Sequence, residues 1–127
     1  MKSHAVELCG ALLQVPLFQN LNATECRQLS EIMQRVTAAP GELIVKQGQM
    51  SQALFILTEG KCRVLRQLPA TNGDHSEIVL ATLEPYQHFG EMSFFHAAPH
   101  SASVRAEVAC KLAVIRHADY ADLIEDG

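Results

Sequence analysis

The chain has little of what several function classes require. Its four cysteines, at 9, 26, 62 and 110, form no CxxC pair, so a zinc ribbon or thioredoxin-type site is absent. Their wide spacing reads as free buried thiols in a reducing compartment. Ten basic side chains face fourteen acidic ones, for a formal charge of −4. That balance offers no basic face for phosphate neutralisation and argues against direct nucleic-acid binding. No GxSxG or HExxH motif occurs, nor any internal repeat or low-complexity tract. The longest uncharged stretch, Leu8 to Thr24, holds Gln14, Pro16, Gln19, Asn20 and Asn22 and is no membrane span. Glu7 and the lack of a small-residue cleavage site exclude a signal peptide, so the expected compartment is the cytoplasm.

What remains is ordinary globular material. Apolar residues make up 48% of the 127 positions, enough for one domain with its own core. Helices are expected over 5–14 and again after Asn22, which with Glu25 forms a capping box. Cys26, Leu29, Ile32, Met33 and Val36 then fall on one helical face, up to the turn at Pro40-Gly41. From there the period becomes two. Strands are expected over 42–46, 53–58, 61–68, 77–83, 102–108 and 110–116, with Gly41, Gly48, Gly60 and Asn72-Gly73 at turns. A short helix carrying Tyr120, Leu123 and Ile124 closes the chain. Short strands at this spacing indicate an all-β sandwich or barrel with flanking helices.

One segment, Phe89 to Ser101, breaks the period. Gly90 permits close backbone approach, and one helical turn after it would present N–H groups from Met92 to Phe95. Glu91 sets a carboxylate beside them, and Ser101 and Ser103 add hydroxyls. This set suits a ligand with one phosphate and a neighbouring hydroxyl.

The residues Phe89-Gly90-Glu91-Met92-Ser93-Phe94 and then Pro99-His100-Ser101-Ala102-Ser103-Val104 resemble the phosphate-binding cassette of cyclic nucleotide-binding domains. Pro40-Gly41-Glu42-Leu43-Ile44 with Gly48, Leu54 to Gly60, and Leu83-Glu84-Pro85 are similar to the family's preceding segments in order and spacing. The resemblance implies a double-stranded β-helix (jelly roll). Amino-terminal helices would occupy 1–38, the β-roll 40–116 with its cassette at 89–104, and the start of a carboxy-terminal helical region 117–127. It also implies residue roles. Glu91 would accept from the ribose 2′-hydroxyl, and the N–H groups around Gly90, Met92 and Ser93, with Phe89 beside them, would cradle the cyclic phosphate. Ser101 and Ala102 would add phosphate contacts, and Ser103 could touch a guanine. His100 stands where the family carries arginine.

That substitution is the main departure. Arginine offers a permanently charged fork, whereas histidine titrates near neutrality and gives one bond per nitrogen. Losing a charge-assisted bond costs about 1.5–3 kcal/mol, or one to two decades of affinity. The expectation is weak binding that tightens as the pH falls below 7. Tyr86 stands at a usual glycine and would need a different turn, and Ser51-Gln52 replaces a common Gly-Asp turn.

Plainer readings stand beside these. Glu91 could simply cap the short helix, His100 could be a surface residue of a decayed site, and Arg105 a solvated strand residue. Phe94 and Phe95 cannot both face inward. His88, Glu91, His96 and His100 cluster in sequence, but no His-x-His lies on a strand and Pro99 breaks the spacing, which argues against a metal-dependent β-roll enzyme. The functional expectation is a non-enzymatic regulatory sensor of a cyclic nucleotide, cAMP ahead of cGMP, with no cofactor. It would relay to a linked or partner effector, with a homodimer left open. The alternative is a degenerate domain used for protein interaction. A chain that stops in Glu125-Asp126-Gly127, before a full lid, reads as the amino-terminal domain of a larger protein.

Overall fold

A computed structural model describes residues 4–69, 76–96 and 98–126. The chain opens with α1 (His4–Leu12), a 3-10 turn (Pro16–Phe18) and α2 (Ala23–Ile32). The Asn22–Glu25 capping box forms as expected, with Glu25 N–H donating to Asn22 Oδ1 at 2.8 Å and Asn22 N–H to Glu25 Oε1 at 2.9 Å. The helix stops sooner than the apolar spacing suggests. Met33 turns to extended backbone, and β1 (Gln34–Ala38) takes the last five residues of the segment read as helical. Val36 lies 39% exposed on β1 and not on a buried helical face.

The strands that follow are β2 (Leu43–Val45), β3 (Ala53–Glu59), β4 (Cys62–Leu68), β5 (Ser76–Leu83), β6 (His88–Phe89), β7 (Ser103–Ala106) and β8 (Cys110–Arg116). Helix α3 (Glu91–His96) sits between β6 and β7, and α4 (His117–Asp126) ends the chain. The expected strand over 102–108 shortens to four residues. Ser103 is buried and Val108 is exposed, the reverse of their place in the alternation. The expected Asn72-Gly73 turn and the side chain of Ile124 lie outside the described residues.

Every strand pair is antiparallel, in two four-stranded sheets ordered β1-β8-β3-β6 and β2-β7-β4-β5. The chain crosses between the sheets repeatedly, as a jelly roll does. Between the sheets, Val45, Cys62, Val104 and Ala106 of one meet Phe55, Leu57, Phe89, Leu112 and Val114 of the other. Strand β3 is buried on both faces. Phe55 and Leu57 enter the roll, while Leu54 and Ile56 join Ala113 and Ile115 under the helices, against Leu8, Leu12, Phe18 and Leu29. The molecule is therefore layered as helices, sheet, sheet, with the two central strands of the shared sheet, β8 and β3, largely buried.

Candidate functional site

Helix α3 begins where Gly90 turns the chain at φ +87°. A Cβ there would stand 2.7 Å from the carbonyl oxygen of Ala53 and 3.1 Å from the Phe55 ring, so only glycine fits. Phe89, just before it, stacks on Phe55 with ring centres 4.9 Å apart and planes within 2°. The first helical bond runs from the Phe94 N–H to the Gly90 carbonyl at 3.0 Å. This corrects the expected donor set. The Phe94 N–H is already used, and the groups ahead of it, Met92 and Ser93, precede the helical ladder.

The two phenylalanines do not divide as expected: both pack into the helical core, where the Phe95 ring lies 5.6 Å from Phe18. Phe94 is fully buried against Phe18, Tyr120 and His117, and Phe95 packs partly exposed at its edge. The other side of α3 faces a cavity of about 230 Å3. Every residue expected in the site lines that cavity except Ser103. Val45, Val64, Leu83 and Val104 supply its apolar wall. Glu91 stands at the edge, half exposed, with Oε1 3.3 Å from Nε2 of His88. His88 also lines the cavity. Sequence reasoning missed it as a site residue because β6 is only two residues long and leaves no periodic signal.

The far wall is laced to the loop joining β2 and β3. His100 accepts from Gly48 N–H through its carbonyl and donates its N–H to the Gln49 carbonyl, both at 2.8 Å. Its Nε2 lies 2.7 Å from Ser51 Oγ. Its side chain is buried, and that burial pushes the imidazole pKa down from its ordinary value. Ser93 Oγ accepts from the N–H groups of Ser51 and Gln52 at 3.3 and 3.2 Å, and Ser103 Oγ accepts from Gln47 N–H at 2.9 Å. The loop that carries Ser51 was not legible as part of the site, since its contacts span some forty to fifty residues of chain.

Residues 35–126 match the model of the cyclic nucleotide-binding domain. The chain belongs to that family. It is 30% identical over 105 residues to the cAMP-dependent protein kinase regulatory subunit of Mycosarcoma maydis, covering 83% of this chain and 19% of that protein. It is 35% identical over 109 residues to the cyclic AMP receptor protein of Thermus thermophilus, covering 86% and 49%. Among solved structures it resembles the N-terminal domain of a transcriptional regulator from Streptomyces coelicolor, with a TM-score of 0.80 and 30% identity over 91% of this chain and 77% of that one. The chain thus spans a fifth to a half of the length of these two sequence relatives.

This cyclic nucleotide-binding domain keeps its special turns with unusual residues. Tyr86 holds φ +70° in place of the different turn expected of it, and Gln52 holds φ +44°. Arg105 is ion-paired to Glu77 at 3.1 Å and does not line the cavity. No group of metal-ligating side chains occurs among the described residues, and no described helix is long and apolar enough to cross a membrane.

Proposed function

We propose that the chain is a cytoplasmic, non-enzymatic sensor that binds a 3′,5′-cyclic nucleotide, cAMP ahead of cGMP, with reduced affinity. It would relay occupancy to a linked or partner effector. The observation that carries this reading is the convergence on one cavity of Phe89, Gly90, Glu91, Met92 and Ser93 with His100, Ser101 and Ala102. Glu91 would accept from the ribose hydroxyl through the oxygen that His88 leaves unoccupied. The N–H groups of Met92 and Ser93, with Gly90 giving close approach and Phe89 and Ala102 as walls, would meet the phosphate. Ser101 would add a hydroxyl. The Ser103 hydroxyl, held by Gln47 N–H, is poorly placed to serve a guanine, which favours cAMP. The names of the relatives point the same way.

Weak binding follows from His100. Burial lowers the pKa of its imidazole, so the gain from protonation comes at a lower pH than an ordinary histidine would give. Titration calorimetry with cAMP and cGMP at pH 6 and pH 8 tests this. The expected result is saturable cAMP binding that is tighter at pH 6. Equal affinity at both pH values removes the charged histidine from the account. The competing reading is a degenerate interaction domain, favoured by the commitment of His100 to Ser51. Absence of binding at millimolar cAMP and cGMP would establish it.

A further inference from the structure

We infer that Arg66, on β4, supplies the cation that the cassette itself lacks. The inference rests on the cyclic-nucleotide reading above and names the residue that would meet the ligand's negative charge. The cavity lining contains no lysine or arginine, and its one formal charge is the carboxylate of Glu91. An anionic ligand entering it meets a like charge and a neutral, buried His100. A cation must come from a neighbouring element.

Three arginines lie on the adjoining sheet. Arg63 is 2.7 Å from Glu107 and Arg105 is 3.1 Å from Glu77, so both are neutralised on its outer side. Arg66 differs from them. It falls on the same alternation of β4 as Val64, which lines the cavity. Its Nε donates 3.2 Å to the carbonyl oxygen of Ser101, itself part of the lining. No carboxylate pairs with it among the described residues. The Nε bond fixes the guanidinium against the cassette and leaves both Nη groups for a phosphate oxygen. The cassette arginine is thus replaced from the neighbouring strand of the same sheet, by a residue 35 positions away in sequence.

The test is cAMP titration of wild type, Arg66→Gln, Arg66→Lys and Arg63→Ala at two ionic strengths, with unliganded melting temperatures alongside. Glutamine keeps an amide donor for the Ser101 carbonyl and removes the charge together with the Nη donors. The expected result is about a tenfold weaker Kd for Arg66→Gln, with a flatter salt dependence and an unchanged melting temperature. Arg66→Lys should retain part of the affinity, and Arg63→Ala all of it. Wild-type affinity in Arg66→Gln overturns the inference while leaving the cyclic-nucleotide reading intact. So does a loss with unchanged salt dependence, or one matched by a fall in melting temperature. A wild-type protein that binds no cAMP overturns the reading itself and the role of Arg66 with it.

Discussion

His100 Nε2 and Ser51 Oγ lie 2.7 Å apart, joining the cassette to the loop ahead of β3 through a buried imidazole. Burial lowers the folded pKa of His100 below 6.5. Above that value the ring is neutral in both folded and unfolded chains, and its contribution to stability is complete. As the pH falls through 6.5, the unfolded chain takes up a proton that the folded state resists, so stability declines until the folded pKa is passed. Urea unfolding between pH 5 and 8 should show this decline, and His100→Gln should reduce it. An identical slope in the variant would place the titration elsewhere.

Gly90→Ala should be severe. The new Cβ meets the Ala53 carbonyl at 2.7 Å in a backbone that disfavours any side chain. Left-handed strain and overpacking together cost about 2–4 kcal/mol. Denaturant unfolding should register that loss, and calorimetry the loss of any nucleotide binding.

Gln52→Gly should act in the other direction. Gln52 is exposed and holds φ +44°, so glycine relieves left-handed strain at little packing cost. After the entropy that glycine restores to the unfolded chain, the net gain is about 0.5–1 kcal/mol, visible as a rise of a few degrees in melting temperature. A lower melting temperature would show that the Gln52 side chain contributes more than the turn.

His88→Ala removes the ring beside Glu91. Its effect should fall on recognition of the ribose hydroxyl more than on the phosphate. The measurement is the affinity ratio of cAMP to its 2′-deoxy analogue, which should shrink toward unity, with His88→Gln restoring much of it. An unchanged ratio would leave His88 as cavity wall only.

The thiols make a separate prediction. Cys26 and Cys62 are buried, and burial together with their neighbours Cys9 and Cys110 pushes both thiols up to about 12. The partly exposed Cys9 should alkylate first with iodoacetamide at pH 8, giving a single label by intact mass. Rapid labelling of all four would mean that the cores on both faces of β3 open readily.

The grouping of 89–93 with 100–102 around one cavity was legible because Gly90, Glu91 and the small residues form a local break in the strand period. The Asn22–Glu25 cap was legible because it too is local. What sequence reading missed depends on distant partners. Met33 and Val36 continue a helical spacing by coincidence, and pairing with β8 draws 34–38 into a strand instead. Ser103 alternates as an outward residue yet is buried, since Gln47 N–H seeks its hydroxyl across 56 residues. Tyr86 keeps a glycine's backbone because its N–H bonds to the Leu57 carbonyl and its side chain packs on the helical core. The roles of His88 and Ser51 have no periodic signature at all.

Helix α3 is six residues long, and its two sides have different owners. Met92 and Ser93 belong to the cavity wall, whereas Phe94 is seated among Phe18, His117 and Tyr120, the last two on α4. A rod this short has no room to bend between them. A shift of α3 at the cavity wall would therefore have to be accommodated by Phe94 in its aromatic socket. The cavity and the carboxy-terminal helix thus share one six-residue wall.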